Sequence, residues 1–276
     1  SGAVTIVETN PPSYVSTTPD VVHTSAVVGS SGPSPIDFGD FRGLKVTGQV
    51  FYDANVNGVN DAEAGVSGAI VAANGDSFTT DSSGVYTLYV TVSDSNPILV
   101  SETDPAGYLS INAIPGNGMS KVDANTLRID GPTSGIVYSG GDFGDVLAGS
   151  VIIISGQVWD DNGAGGGGLA NGLRDGTEPG LAGAIISLSS GLNATTGSDG
   201  LFTLPAPANQ EITVTETNPV GYRSTNAIPG NDAIKVDNDT LKVSALGGGS
   251  TSAGNLFGDI LDSGGVIYLP IITKNY

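Results

Sequence analysis

The sequence predicts an all-β protein made of tandem antiparallel β-sandwich modules, with an incomplete first module and an extended strand at its C-terminal end. Three observations support this prediction. First, 42 glycines and 15 prolines punctuate the 276 residues, which suits short strands joined by tight turns. Second, no long window shows the sustained period of about 3.6 residues that marks a helix. Third, the same short motifs recur in the same order along the chain.

The repeated motifs set the order of the predicted strands. A β-prone run precedes each Glu-Thr-x-Pro turn, and a Phe-Gly-Asp motif closes each repeat. The turns begin at Glu8, Glu102 and Glu216, and the closing motifs begin at Phe38, Phe143 and Phe257. The opening half of the repeat, Gly48–Phe51 and Gly156–Trp159, occurs twice, at a spacing of roughly 100 residues that suits a β-sandwich.

This arrangement divides the chain into four predicted parts. Residues 1–42 form the back half of a module, and residues 43–147 and 148–262 form two complete modules. Residues 263–276 form a linker and a C-terminal strand.

Composition excludes several classes of function. The formal net charge is -19, from 28 acidic and 9 basic residues, so a phosphate backbone would be repelled and we expect no nucleic-acid partner. The chain has no cysteine, which excludes disulfides and thiol nucleophiles. The longest apolar runs, residues 151–154 and 266–272, are too short to span a membrane, so we expect no membrane insertion. The first residue is Ser1 rather than Met, which favours a processed, exported protein.

The ordered motifs resemble those of the SdrD B-like family, the prealbumin-like or Cna B-type β-sandwich modules of bacterial surface proteins. The resemblance rests on the Gly-x-Val-aromatic opening at Gly48, the Asp/Asn-rich loop after it, the Glu-Thr-x-Pro turn and the Asp-Phe-Gly closing motif at Asp142. It covers nearly the whole chain except the last residues. It implies an immunoglobulin-like or prealbumin-like sandwich, a secreted or cell-surface location, a structural role and bound calcium.

The loop after the first opening strand has the ligand spacing of a hard-cation site. Oxygen ligands stand at alternating positions with a glycine at the sixth, as in an EF-hand loop. The candidate ligands are Asp53, Asn55, Asn57, the Val59 carbonyl, Asp61 and Glu63. Glu63 comes one place earlier than the bidentate acid of an EF-hand, and a plain Asx-rich turn is the alternative interpretation.

The equivalent loop of the second complete module is interrupted by a glycine-rich insert, residues 163–170. The spacing resumes after the insert. The candidate ligands are Asp161, Asn171, Leu173, Asp175 and Glu178. Calcium is the ion that the resemblance implies for both loops.

The sequence disfavours two kinds of covalent or catalytic chemistry. Cna B-type modules can join a Lys to an Asn or Asp through an isopeptide bond, and Lys45, Glu102 and Asp142 are the available trio, but the second complete module has no Lys in its opening strand. A hydrolytic triad would need His23, the single histidine, and no Gly-x-Ser-x-Gly motif is present. We therefore expect no enzymatic activity.

The two ends of the sequence suggest a polymer. The half-module 1–42 lacks opening strands and so exposes an apolar face and strand edges. The tail carries an apolar run that suits a donor strand, namely Val266, Ile267, Tyr268, Leu269, Pro270, Ile271 and Ile272. Donation of this strand to the next copy would build a head-to-tail fibre, because such a contact does not close on itself. A cloned or proteolysed fragment, a tail folded on its own chain and a sorting signal are the alternatives.

The sequence thus predicts the structural subunit of a secreted bacterial filament, a pilus-like fibre whose partners are other copies of itself and which calcium stiffens. The alternative is a non-polymerising stalk or spacer of a cell-surface adhesin. A secreted polysaccharide hydrolase is a third, weaker hypothesis.

Overall fold

The structure is a computed structural model that describes residues 2–26, 35–93 and 96–262. Its regular structure consists of β-strands and two short 3₁₀ turns, Ala148–Ser150 and Ala164–Gly166. The predicted all-β sandwich class is confirmed. The described residues fall into two compact units, the first within Ser1–Ala54 and Gly58–Leu147 and the second within Asn55–Asn57 and Ala148–Tyr276.

The first unit contains fourteen strands among the described residues. They are β1 (Gly2–Val7), β2 (Tyr14–Ser16), β3 (Val21–Ala26), β4 (Asp40–Arg42), β5 (Leu44–Tyr52), β6 (Ile70–Ala73), β7 (Asp76–Thr79), β8 (Val85–Val90), β9 (Ile98–Thr103), β10 (Tyr108–Ile114), β11 (Ser120–Asp123), β12 (Thr126–Ile129), β13 (Val137–Ser139) and β14 (Asp142–Leu147).

The second unit repeats much of this order. Its strands are β15 (Val151–Asp160), β16 (Ile185–Leu188), β17 (Asn193–Thr195), β18 (Leu201–Pro207), β19 (Ile212–Thr217), β20 (Tyr222–Ile228), β21 (Ala233–Lys235), β22 (Thr240–Val243) and β23 (Thr251–Leu261).

Two sheets form the sandwich in each unit. In the first unit one sheet has the order β10-β14-β5-β13, with β8 also paired to β5, and the other has the order β11-β12-β9-β6-β7. In the second unit the orders are β18-β15-β23-β20 and β17-β16-β19-β22-β21. Most pairs are antiparallel, but the closing strand runs parallel to the opening strand in both units, β14 beside β5 and β23 beside β15.

The core lies between the two sheets, where alternate strand residues point inward. The aromatic residue of each opening motif, Phe51 or Trp159, is fully buried. Each ring lies against a glycine of the closing strand, and a Cβ at Gly144 or Gly258 would lie 2.6 or 2.3 Å from a ring carbon. The Phe-Gly-Asp motif therefore needs its glycine to let the aromatic ring pack against the backbone.

The N-terminal segment forms two separate two-stranded antiparallel sheets. β1 pairs with β3, and β2 pairs with β4. The β2–β4 sheet packs on the sandwich of the same unit, where Val15 is buried and the Phe41 ring lies 5.7 Å from the Tyr89 ring. The β1–β3 sheet instead exposes Val4, Val7 and Val21.

The predicted donor strand, residues 266–272, lies outside the described residues. Over residues 2–26, 35–93 and 96–262, no helix has both the length and the apolar character needed to cross a membrane.

Candidate metal sites

The first Asx-rich loop begins where β5 ends. Asp53 is fully buried, and its backbone N–H donates to the Asp145 carbonyl over 2.9 Å. Its Oδ2 accepts a hydrogen bond from the Gly58 N–H at 2.7 Å. Gly58 has φ of 75°, a left-handed conformation that favours glycine, which explains the glycine at the sixth position.

The other predicted ligands of this loop have different surroundings. Glu63 Oε1 accepts from the Ala54 N–H at 2.9 Å, and desolvation, reinforced by the charge of Asp53, raises the Glu63 pKa. The Asn57 N–H donates to Asn55 Oδ1 at 3.1 Å, as in an Asx turn. The remaining predicted ligand positions, Val59 and Asp61, are exposed.

In the second loop, hydrogen bonds connect all five predicted ligand residues. Asp161 is fully buried, and its two carboxylate oxygens accept from the backbone N–H groups of Asn171 and Gly172 at 3.2 and 2.7 Å. The Asn171 side-chain amide donates to Asp175 Oδ2 at 3.0 Å, and Glu178 Oε2 accepts from the Asp175 N–H at 3.1 Å. Asp161 and Glu178, which are 17 positions apart, therefore belong to one hydrogen-bonded network in this loop.

The glycine-rich insert holds these acids in place. The Gly163 N–H donates to Glu178 Oε1 at 3.0 Å, and the Gly168 N–H donates to Asp175 Oδ1, also at 3.0 Å. Leu173 has an exposed side chain, and its N–H donates to Asn171 Oδ1 at 2.8 Å. Because a carboxylate oxygen has two lone pairs, one backbone hydrogen bond leaves capacity for a cation, so this all-oxygen set fits calcium.

Both loops are fastened by an asparagine that the sequence analysis did not single out. The Asn112 side-chain amide donates to the Gly58 carbonyl, and the Asn226 amide donates to the Gly172 carbonyl, each at 2.8 Å. Both asparagines open the repeated Asn-Ala-Ile-Pro-Gly-Asn motif, and that repetition was the signal that could have identified them.

The residues of the disfavoured chemistries face other partners. The Lys45 ammonium lies 5.6 Å from the centre of the Tyr89 ring, and Asp142 Oδ1 accepts from the Gln49 N–H at 2.8 Å. His23 is exposed on β3, and its Nδ1 lies 3.0 Å from the hydroxyl of Thr5, its cross-strand neighbour on β1. Lys45, Asp142 and His23 thus contact neighbouring strands and do not contact one another.

The structure also places carboxylates inside both sandwiches. Glu102 on β9 and Asp145 on β14 are 4% and 0% exposed, and Glu216 and Asp259 take the same positions in the second unit at 3% and 0%. In the sequence these residues stand out as parts of the repeated motifs, and Glu102 also as a member of the disfavoured isopeptide trio, although Glu102 follows Ile98 and Val100 in an alternating pattern that places it on the inward face.

Burial raises the pKa of each of these carboxyl groups, and neighbouring acids raise it further. The pKa rises to about 9 for Glu102, with Asp145 as the main charged neighbour, and to about 7 for Asp145, with Asp104 as the neighbour. It likewise rises to about 9 for Glu216 and to about 7 for Asp259.

No protein-family model and no curated protein sequence matches this chain. Solved structures give matches of low identity. The shaft pilin SpaA of Lactobacillus rhamnosus GG is 14% identical, with a TM-score of 0.28, over 78% of this chain and 97% of the pilin. The minor pilin GBS52 of Streptococcus agalactiae is 10% identical, with a TM-score of 0.25, over 84% of this chain and all of that chain, 100%.

The Bacillus anthracis TIE protein is 14% identical to this chain, with a TM-score of 0.26, over 80% of this chain. The match spans 35% of the length of the TIE protein.

Proposed function

We propose that this chain is a structural, non-enzymatic subunit of a secreted bacterial filament that polymerises head to tail by strand donation and that calcium stiffens. The donated strand is residues 266–272 of one copy, and the acceptor is the β1–β3 sheet of the next. The chain's partners are therefore other copies of itself, at the cell surface or beyond it.

One comparison within the chain carries this proposal. β1 corresponds to β9 and β19, because each precedes or contains the Glu-Thr turn and each pairs antiparallel with a later strand beyond the one that follows the turn, namely β3, β12 and β22. Ile98 and Ile212 on the inward face of β9 and β19 are 6% and 1% exposed, whereas Val4 at the same position of β1 is 39% exposed.

The missing cover corresponds to one strand position. β9 has a second neighbour, β6, and β19 has a second neighbour, β16, and both pairs are antiparallel. Within the described residues β1 pairs with β3 alone. An added strand at this edge of β1 would gain backbone hydrogen bonds and bury apolar side chains, each worth about 1.5–3 kcal/mol when fully buried.

Calcium at the two Asx-rich loops fits the same role. Each loop joins the opening strand to the rest of its sandwich and concentrates acidic side chains that repel one another. A bound divalent ion would convert this repulsion into a cross-link and would stabilise the folded module through its binding free energy.

Electron microscopy of the purified full chain tests polymerisation directly. We expect filaments from the parent and from Tyr276→Ala, a control change outside the donor strand. We expect single particles after deletion of residues 263–276 and from Ile6→Asp, which places a charge on the acceptor face. A synthetic peptide of residues 263–276 should cap the acceptor and shorten the filaments.

Filaments that persist after the deletion would contradict strand donation. Elongated single particles from the parent, unchanged by the deletion, would instead favour the stalk or spacer of an adhesin.

A further inference from the structure

We propose that each complete sandwich holds a second divalent-cation site, separate from its Asx-rich loop, at the buried carboxylates between the two sheets. In the first unit the ligands are Glu102, Asp104 and Asp145, and in the second unit they are Glu216, Asp239 and Asp259. Carboxylate oxygens are the ligands that a hard divalent cation such as calcium prefers.

The first cluster lies between the two sheets of its sandwich. Glu102 lies on β9 of one sheet and Asp145 on β14 of the other, so the two strands bring the acids together across the sandwich. One ligand oxygen from each of Glu102, Asp104 and Asp145 lies within 4.8 Å of the others. A calcium ion with ligands at about 2.3–2.6 Å bridges oxygens at such separations.

The lack of hydrogen-bond donors is an independent argument. Both carboxylate oxygens of Glu102 and both of Asp145 are buried, and none accepts a hydrogen bond from an N–H or O–H donor among the described residues, the neighbouring polar group being the Asp104 carboxyl. The ion pairs in the described ranges, Arg128–Asp130 and Lys242–Glu211, lie elsewhere and are exposed. Buried carboxylates without donors are strongly destabilising unless a proton or a cation neutralises them.

The second unit has acids at the corresponding positions with exchanged residue types, while among the described residues only the acids of the first unit bring three ligand oxygens within 4.8 Å of one another. Asp104 corresponds to Asn218, and Asn125 corresponds to Asp239, because the Glu102 N–H donates to the Asn125 carbonyl and the Glu216 N–H donates to the Asp239 carbonyl, at 2.9 and 2.8 Å. The acid and the amide thus exchange positions between the two units, and each unit keeps three carboxylates.

Further oxygens in the second unit support the same conclusion. Both oxygens of Asp259 are buried and have no hydrogen-bond partner in the described part of the chain. In the first unit the amide oxygen of Asn125, at the position of Asp239, is also buried and without a partner.

A cation accounts for this pattern better than protons do. Shared protons would neutralise a pair of acids, but each cluster holds three carboxylates and adds an amide at the fourth position. A divalent ion neutralises most of the charge and uses the amide oxygen as a further ligand. This inference stands on the buried acids alone and does not depend on filament formation or on calcium in the loops.

Calcium stoichiometry of the full chain, measured by equilibrium dialysis at a concentration that keeps the protein monomeric, tests the inference. We expect Asp145→Asn to bind one ion fewer than the parent. Asp142→Asn, on the same strand but hydrogen-bonded to the Gln49 backbone, should bind as many ions as the parent. Loop variants Asp53→Asn and Asp161→Asn should leave the cluster sites able to bind.

Thermal unfolding distinguishes a variant that has lost a calcium site from a variant that binds less calcium because it does not fold. In chelator, Asp145→Asn should melt at or above the parent temperature, because the change removes a repulsive buried charge. In calcium, the same variant should show a smaller rise of melting temperature than the parent and Asp142→Asn. Equal stoichiometry, or an equal calcium-dependent rise, for Asp145→Asn and the parent would overturn the proposal.

Discussion

At the scale of single residues, this protein depends on glycines that bring backbones into contact. Gly48 and Gly156 stand in the opening strands, and a Cβ at these positions would lie 1.8 Å from the Gly141 carbonyl oxygen and 1.7 Å from the Asn255 carbonyl oxygen. No rotamer change relieves a clash with backbone, so the opening strand could not keep its place beside the closing segment.

Gly156→Ala should therefore destabilise the second unit. We expect the free energy of unfolding to fall by about 2–3 kcal/mol, since the added methyl group forces a backbone shift in a packed sheet. Chemical denaturation of the full chain provides the measurement. Gly149→Ala is the control, because nothing lies within 4 Å of a Cβ there, and a similar loss for both variants would contradict the explanation.

At the scale of elements, one buried threonine in each sandwich joins two turns. The Thr80 hydroxyl donates to the Val66 carbonyl at 2.7 Å and accepts from the Ala69 N–H at 3.0 Å. Thr196 repeats both contacts with Leu181 and Ala184, at 2.7 and 3.1 Å. The hydroxyl thus satisfies backbone groups that would otherwise be buried without partners. The threonine stands shortly before β8 in the first unit and before β18 in the second.

Thr196→Val should cost about 1–3 kcal/mol of unfolding free energy, because it leaves the Leu181 carbonyl and the Ala184 N–H without their partner at almost unchanged volume. Thr196→Ser keeps the hydroxyl and should retain most of the stability. Denaturant titrations of both variants compare them. If the two variants lost the same free energy, the methyl packing and not the hydrogen bonds would be responsible.

At the scale of the whole molecule, the buried acids couple stability to pH and to calcium. Desolvation raises the pKa of Glu102 and Glu216 to about 9 and of Asp145 and Asp259 to about 7, from the ordinary values of 4.5 for Glu and 3.8 for Asp. At pH values between the ordinary pKa and the raised pKa, the folded chain keeps protons that the unfolded chain releases. Stability is then largest below the unfolded pKa and declines as pH rises through the folded pKa.

In chelator we therefore expect the free energy of unfolding to fall as pH rises from about 5 to about 9. Millimolar calcium should raise the stability and flatten this slope, because the ion replaces the protons. Denaturation at several pH values, with and without calcium, measures both effects. Stability that rises with pH over this interval in chelator would be inconsistent with raised pKa values for the buried acids.

Much of the fold was predictable because its signals are local. The runs Val4–Val7, Ile98–Ser101 and Ile212–Thr215 each become part of a strand before the Glu-Thr turn, as their β-branched composition indicates. The division into modules, the ligand sets of both loops, their calcium and the donor role of residues 266–272 stay predictions.

Other features depended on distant parts of the chain. Local patterns cannot show that the Gly168 N–H reaches Asp175, since that contact follows from the path of the glycine-rich insert. The parallel pairing of the closing strand with the opening strand likewise joins residues about 100 positions apart, beyond the reach of strand propensity.

The sequence by itself determined the all-β class, the repeated order of strands and turns, and the acidic loops, because periodicity, turn chemistry and ligand spacing are written in neighbouring residues. Only the tertiary structure decided that Glu102 and Asp145 meet inside a sandwich without donors, and that Val4 stays exposed where Ile98 is buried. The physical reason is that burial and charge proximity arise when two sheets pack face to face, and the residues involved are far apart in the chain.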